Sequence, residues 1–81
     1  MTTKEEIRTW LQEGLVQEPQ PTHMLVACDT FDYEDYPLYC KTLEETQDKI
    51  KSPGEMKKIM DLYSYKLPLQ KQLLEKRAWN L

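Results

Sequence analysis

The segment from Asp29 to Asp35, with the sequence DTFDYED, concentrates the side chains of this chain that could do chemistry. It holds four carboxylates in seven positions, together with Phe31 and Tyr33. Such carboxylates could bind calcium, act as a general acid and base, recognise a ligand, or cap the turns of a loop. The segment lacks the glycine and the closing glutamate of a calcium loop, and no surrounding pattern separates the pKa values of two carboxylates. We therefore expect neither a metal site nor catalysis here, and ligand recognition and a solvated turn remain as alternatives.

Aromatic rings accompany the acidic segment, and cations occur later in the chain. Carboxylates accept hydrogen bonds from sugar hydroxyls, and stacking of a base on an aromatic ring contributes about 1–3 kcal/mol. A phosphate would need a lysine or an arginine, and arginine can hold it through two hydrogen bonds. A place in the core or at an interface is the competing interpretation for a tyrosine in a strand. The aromatic candidates are Phe31, Tyr33, Tyr36 and Tyr39, and the cationic candidates are Lys57, Lys58, Lys76 and Arg77.

His23, Cys28 and Cys40 are the remaining residues with chemical potential. A nucleophilic cysteine must be exposed and must have a lowered pKa, whereas both cysteines lie inside predicted strands. We expect two buried, reduced thiols, with a disulfide as the alternative if the strands bring them together. We expect His23 to form hydrogen bonds at the start of a strand. The sequence therefore predicts no enzyme activity, no cofactor and no metal.

The first half of the chain predicts a helix followed by a β-hairpin. A capping box at Thr3 opens a helix to about residue 14, and the prolines of residues 17–21 form a linker. The apolar segment 23–28 has the length and composition of a strand covered on both faces, and segment 36–41 is a second strand. Because about seven residues connect them, an antiparallel hairpin is the simplest topology.

The second half predicts three further helices. A capping box at Thr42 opens a short helix to about Lys51, and Ser52 begins another that extends to about Ser64. Met56, Ile59, Met60 and Tyr63 recur there at helical spacing, and Pro68 begins a last helix to about Arg77. The predicted fold is a single α+β domain over residues 1–81, in which about four helices pack a short hairpin in the order αββααα. Because two strands alone are marginally stable, we also expect self-association to extend or cover the sheet.

Charge is distributed unevenly along the 81 residues, which carry a net charge of −3. Residues 1–48 hold three basic and eleven acidic side chains, and residues 49–81 hold eight basic and three acidic ones. The two halves could fold together or meet across a subunit interface, or the basic half could hold a small anion. An acidic chain without a basic stripe is not expected to bind duplex nucleic acid. The start of the chain has no signal-peptide pattern, and no apolar run is long enough for a membrane span, so we expect a cytoplasmic protein.

The segment Thr22 to Cys40, THMLVACDTFDYEDYPLYC, is similar to a pattern found in small phage and bacterial proteins. Two later segments, Glu55–Tyr63 (EMKKIMDLY) and Gln72–Trp79 (QLLEKRAW), extend this similarity. Small phage proteins of this kind resemble the class that sequesters the nucleotide signals of bacterial immunity, including cyclic ADP-ribose. The resemblance implies a homo-oligomeric anti-defence protein that holds such a signal without turnover.

The resemblance also implies roles for particular residues. Tyr33 or Tyr36 would stack on the base, Asp29 or Asp32 would bind the ribose, and Arg77 would face the phosphate. A protein–protein inhibitor or adaptor that uses the acidic segment 29–35 is an alternative, and a small enzyme that cleaves a cyclic nucleotide is another. The predicted ligand-binding residues are Asp29, Phe31, Asp32, Tyr33, Tyr36 and Arg77.

Overall fold

A computed structural model describes residues 2–81, which form three helices and three strands in the order αββαβα. The strands make one antiparallel sheet in the order β2-β1-β3. The predicted α+β class and the β1–β2 hairpin are therefore confirmed. The elements are α1 (Lys4–Leu15), β1 (His23–Asp29), β2 (Glu34–Cys40), α2 (Leu43–Lys51), β3 (Lys57–Ser64) and α3 (Leu69–Leu74).

Strand β1 is the centre of the fold and is covered on both faces, as its continuous apolar sequence predicts. Met24 and Val26 lie in the core on the face that α1 and α3 cover. Leu25 points to the opposite face, where it packs with Leu62 and with Ile50 of α2. The sheet therefore separates two apolar cores, and α1 and α2 lie on opposite sides of it.

The prediction of a helix over residues 52–64 is wrong, because residues 57–64 form strand β3. The β1–β3 register shifts between Val26, which pairs with Asp61, and Ala27, which pairs with Ile59. Met60 is therefore an extra residue, as in a β-bulge. The bulge puts Ile59 and Leu62, three residues apart, on the same face of the sheet. The residues at helical spacing do not share a face in the structure: Ile59 packs on the α2 side, Tyr63 lies in the core on the α1 side, and Met56 and Met60 are exposed.

The last helix is also shorter than predicted, because α3 ends at Leu74 and the chain then returns to the sheet. The Leu62 N–H donates to the Ala78 carbonyl at 2.8 Å, and the Asn80 N–H donates to the Leu62 carbonyl at 3.0 Å. These bonds pair residues 78–80 with β3 as a short parallel bridge. Ala78 is buried, whereas Trp79 and Leu81 remain 41% and 55% exposed.

The third strand that the hairpin needs comes from the same chain, so the sheet does not depend on a second copy for it. On the outer edge of β3, residues 78–80 pair with Leu62. The other edge strand, β2, contains Pro37 opposite Val26. Proline has no N–H to donate, and it discourages edge-to-edge pairing of sheets. Both edges are thus interrupted at one position, and the predicted homo-oligomer stays a prediction.

Local capping signals begin α1 and α2 as predicted. The Thr3 hydroxyl accepts from the Glu6 N–H at 3.2 Å, and the Thr42 hydroxyl accepts from the Glu45 N–H at 3.0 Å. Gly14, by contrast, lies within α1 and does not end it. It is buried against the ring of Tyr65, and an added Cβ would collide with the Tyr65 hydroxyl. The glycine therefore permits close packing of the helix against the sheet.

Candidate functional site

The acidic segment forms the tip of the β1–β2 hairpin, and Asp29 shapes its turn. One Asp29 carboxylate oxygen accepts from the Phe31 N–H at 2.8 Å and from the Asp32 N–H at 3.4 Å. The Asp29 carbonyl also accepts from the Tyr33 N–H at 2.6 Å. Asp29 thus has the turn-forming role of the solvated-turn interpretation. Its carboxylate is partly occupied by these bonds.

The tip exposes two aromatic rings. Phe31 is 70% exposed and Tyr33 is 76% exposed. The tip is tied to the start of β3 by a hydrogen bond of 2.7 Å from the Thr30 N–H to the carbonyl of Met56, which is itself 56% exposed. Tyr33 and Met56 both have positive φ, at 58° and 55°, a conformation that is uncommon outside glycine. The tip therefore exposes two aromatic rings and is joined to the start of β3 by a backbone hydrogen bond.

The other two predicted ligand-binding residues lie away from the hairpin tip, Tyr36 on strand β2 and Arg77 in the segment after α3. Tyr36 is on β2, with the Lys57 ammonium 5.9 Å from the centre of its ring, and its buried hydroxyl has no hydrogen-bond partner among residues 2–81. Arg77 is beside β3, where its Nε donates to the Met60 carbonyl at 2.9 Å and its guanidinium lies 4.6 Å from the Trp79 ring. The six predicted residues are thus distributed over the hairpin tip, strand β2 and the segment after α3. Their ligand-binding role stays a prediction.

A concave polar site lies elsewhere on the sheet, where the N-terminus of α1 meets strands β1, β2 and β3 and the segment after α3. It is a cleft of about 240 Å³. Four charged side chains line it: the carboxylates of Asp35 and Asp61 and the ammonium groups of Lys4 and Lys76. We call it the charged cleft. Its remaining lining comes from Thr2, Ile7, Val26 and Met60.

The register of the sheet explains why the two carboxylates meet. Asp61 pairs with Val26, and Asp35 pairs with Cys28. Paired residues and residues two apart in a strand share a face, so both aspartates lie on the face that α1 covers. Because α1 begins at Lys4, its N-terminus borders the cleft. The positive end of the helix dipole there favours negative charge.

Hydrogen bonds connect the cleft walls. The Tyr63 hydroxyl donates to an Asp61 carboxylate oxygen at 3.4 Å, and the Lys4 ammonium lies 3.5 Å from that hydroxyl. Lys4 also donates to the Glu75 carbonyl at 2.9 Å. Burial raises the pKa of Asp61, although Lys4, the Tyr63 hydroxyl and Arg77 act in the opposite direction. Burial and then Asp61 raise the pKa of the Tyr63 hydroxyl, which therefore remains a hydrogen-bond donor. The Tyr63 hydroxyl thus holds the carboxylate of Asp61 in place, although burial removes part of its hydration.

Neither cysteine is activated as a nucleophile. Both thiols are free. Burial raises the pKa of the Cys40 thiol. Desolvation, followed by the neighbouring Asp35, raises the pKa of the Cys28 thiol, which is only half-buried. Cys28 pairs with Asp35 and Cys40 with His23, so the two cysteines lie at opposite ends of the hairpin, and the strands do not bring them together as the disulfide alternative required. The expectation of two buried thiols holds for Cys40. His23 is buried, with its ring nitrogens 2.9 Å from the Thr22 hydroxyl and 3.3 Å from a Leu81 backbone oxygen, and has the predicted hydrogen-bonding role.

The sequence analysis missed the cleft as a unit. Asp35 belongs to the acidic segment and Lys76 was one of the cationic candidates, but Lys4 and Asp61 were not singled out. One feature of the sequence could have indicated the cleft. Asp61 is a single acid inside an otherwise apolar segment, and Leu62 and Tyr63 follow it directly. Its meaning depended on assigning that segment to a strand. Across residues 2–81, no group of three or more His, Cys, Asp or Glu side chains could hold a metal ion.

The comparisons with known proteins found no relative of this chain. In residues 2–81, no helix is long and apolar enough to cross a membrane. No protein-family model, curated protein or solved structure matches the chain.

Proposed function

We propose that this protein is a binding module that holds a small nucleotide-like molecule in the charged cleft without turnover. The observation that supports this proposal is the placement of two carboxylates, Asp35 and Asp61, and two ammonium groups, Lys4 and Lys76, around one cavity. Carboxylates accept hydrogen bonds from hydroxyl and amino groups, and ammonium groups pair with phosphate. A sugar phosphate carries both kinds of group.

The size of the cleft limits which part of the ligand it holds. Its volume of about 240 Å³ is below the range of about 300–1,000 Å³ that is usual for drug-sized ligands. We propose that the cleft takes one sugar–phosphate unit and that an attached base extends out of it. Tyr33 lies two residues before Asp35, and Phe31 and Tyr33 expose their rings at the neighbouring hairpin tip. These rings are the stacking surface that we assign to the base.

The biological role that we propose rests on the resemblance to small phage proteins. In this role the protein is phage-encoded and acts in the cytoplasm of the host. It sequesters a nucleotide-derived immune signal such as a cyclic ADP-ribose. Binding without turnover is consistent with the two cysteines, whose raised pKa values disfavour the thiolate.

Cleavage of a cyclic nucleotide is the second candidate function, and one observation favours it. Asp61 has a raised pKa and shares the cleft with Asp35, and two carboxylates in different environments can act as acid and base. The two candidates differ in the fate of the ligand. A binding module releases the bound molecule unchanged when it is denatured, and an enzyme releases a product.

The direct test is calorimetric titration of the protein with ribose 5-phosphate, AMP, ADP-ribose and cyclic ADP-ribose, followed by mass spectrometry of the released ligand. A ligand present at about 100 times its Kd stabilises the folded state by about 2.7 kcal/mol, so a thermal-shift assay gives an independent readout. We expect binding of at least one of the phosphate-containing ligands and its recovery unchanged.

Matched variants locate the site. Asp35→Asn and Lys76→Gln should each weaken binding at least tenfold, because each removes a charge that lines the cleft. Asp48→Asn and Lys49→Gln make the same chemical changes on the exposed surface of α2 and should leave binding unchanged. Equal affinity of all four variants and the original protein would refute the assignment of the cleft.

The exposed rings at the tip favour a further alternative, a docking surface for another protein. Phe31 and Tyr33 lie beside the carboxylates of the acidic segment, and buried aromatic anchors often dominate protein interfaces. Phe31→Ala combined with Tyr33→Ala separates the two functions. Loss of nucleotide binding supports stacking on a base. Unchanged nucleotide binding leaves the tip free for a protein partner.

A further inference from the structure

Residues 75–80, which follow helix α3, supply part of the wall of the charged cleft. Lys76 of this segment lines the cleft together with Met60 and Asp61 of strand β3. The Lys76 side chain is itself exposed. A flexible, exposed lysine side chain lies wherever its backbone places it. The position of the Lys76 ammonium at the cleft therefore depends on how the segment is attached to the rest of the protein.

Backbone hydrogen bonds attach the segment on both sides of Lys76. On one side, the Lys4 ammonium donates to the Glu75 carbonyl at 2.9 Å. On the other side, the Leu62 N–H donates to the Ala78 carbonyl at 2.8 Å. Ala78 is also fully buried. The residue between the second attachment and Lys76 is position 77, so its contacts set how the chain leaves the cleft.

Arg77 occupies that position, and its side chain joins the segment to strand β3. Its Nε donates to the carbonyl of Met60 at 2.9 Å. Met60 is the extra residue of the β3 bulge and also lines the cleft. The Arg77 guanidinium lies 4.6 Å from the centre of the Trp79 ring, within the range of a cation–π interaction. One side chain thus fixes the segment both to the edge of the cleft and to Trp79.

We propose that Arg77 is a positioning residue, which holds Lys76 at the charged cleft so that the Lys76 ammonium pairs with the phosphate of the ligand. The phosphate contact rests on the proposed function of the cleft. The resemblance to phage proteins implies a direct contact between Arg77 and the phosphate. The indirect role is favoured because the cleft lining found over residues 2–81 includes Lys76 and Met60 but not Arg77.

Hydrogen–deuterium exchange of the ligand-free protein tests whether Arg77 holds the segment. Arg77→Lys keeps the positive charge but removes the Nε donor and the planar guanidinium. The Leu62 and Asn80 amides, whose hydrogen bonds join the segment to β3, should exchange about fivefold faster or more in this variant. The Thr22 amide, which donates to the Cys40 carbonyl between the other two strands, should keep its exchange rate.

Two further variants separate this contact from a general effect of the substitution. Arg8→Lys is the matched control, because Arg8 is the only other arginine of the chain and is exposed on α1. It should leave the exchange of the Leu62 amide unchanged. Trp79→Leu removes the ring beside the guanidinium and should accelerate that exchange as Arg77→Lys does. Circular dichroism establishes that each variant remains folded.

Calorimetric titration with ribose 5-phosphate tests how Arg77 acts on the ligand. Arg77→Lys should weaken binding about fivefold when Lys76 is present. In a Lys76→Gln background the same change should weaken binding less than about twofold, because the ammonium that Arg77 positions is then absent. A direct contact between Arg77 and the phosphate would instead make the effects of the two substitutions multiply. A purely structural role of Arg77 would weaken binding equally in both backgrounds.

Two results would overturn the proposal. One is an unchanged exchange rate of the Leu62 and Asn80 amides in Arg77→Lys. The other is an effect of Arg77→Lys on ribose 5-phosphate binding that is the same with and without Lys76. If the original protein does not bind ribose 5-phosphate, the proposed function of the cleft is contradicted, and the exchange rates alone decide whether Arg77 holds the segment.

Discussion

The polar groups at the two ends of the sheet face that α1 covers differ in their partners. At one end, the Tyr39 hydroxyl donates to the Trp10 carbonyl at 2.6 Å and the Tyr65 hydroxyl donates to the Leu11 carbonyl at 2.9 Å. At the other end, Asp35 and Asp61 face the charged cleft. The hydrogen bonds of these two tyrosine hydroxyls lie within the chain and join α1 to the sheet. Carboxylates that line a cavity remain available to a ligand and make a smaller contribution to stability.

This comparison predicts that substitutions at the covered end change stability and that substitutions at the open end change binding. The largest effect should come from the core of the covered end. Met24→Ala should lower the free energy of unfolding by about 2–5 kcal/mol, because Met24 is fully buried and the change leaves a cavity. Met56→Ala, at a position that is 56% exposed, is the matched control and should change it by less than about 1 kcal/mol. Urea unfolding measures both, and similar effects of the two substitutions would contradict the assigned core.

The next largest effect should come from Gly14. A methyl group there would lie 2.8 Å from a ring carbon of Tyr65 and 2.9 Å from one of Tyr39. Overpacking of this kind costs about 1–3 kcal/mol, and the better helix propensity of alanine offsets about 1 kcal/mol of it. Gly14→Ala should therefore lower stability. The cost should shrink in a Tyr65→Phe background, where the colliding hydroxyl is absent, and a double-mutant cycle measures that difference. A cost independent of Tyr65 would show that the contact is not responsible.

Asp61 at the open end should behave in the opposite way. Because burial raises the pKa of Asp61, the folded state disfavours the charged carboxylate. Asp61→Asn should therefore raise the melting temperature at neutral pH while it weakens ligand binding. Asp48→Asn on the exposed surface of α2 should change neither. A lower melting temperature for Asp61→Asn would mean that the contacts of Asp61 with Lys4 and Tyr63 outweigh its burial.

The smallest and most specific effect is the pH dependence of the Asp61→Asn difference. A carboxyl whose pKa is higher in the folded state binds its proton more tightly there. Its protonated form therefore contributes stability below the unfolded pKa of about 3.9, and that contribution is lost as the pH rises through the folded value. The stability advantage of Asp61→Asn should be absent below that range and should appear as the pH rises. Thermal unfolding over a series of acidic buffers measures it, and an advantage that is constant with pH would exclude Asp61 ionisation as the cause.

Local signals predicted those parts of the fold that depend on neighbouring residues. Thr3 and Thr42 cap helices through bonds to residues three positions later. The apolar segment from His23 and the turn at Asp29 likewise identify the hairpin. The apolar residues of segment 56–63 recur at helical spacing by coincidence, because Ile59 and Tyr63 pack on opposite faces of the sheet and Met56 and Met60 are exposed. Residues 57–64 form a strand because they pair with the free edge of β1, and no pattern within the segment identifies that partner.

The sequence by itself determined the α+β class, the capped starts of α1 and α2, the β1–β2 hairpin and the acidic tip, because each follows from contacts between residues close in the chain. Only the tertiary structure decided that β3 completes the sheet, that Arg77 lies beside β3 rather than in a helix, and that Asp35 and Asp61 share a cleft with Lys4 and Lys76. These features depend on strand register and on where a helix begins above the sheet. Register pairs residues far apart in the chain, and one bulged residue changes which side chains share a face.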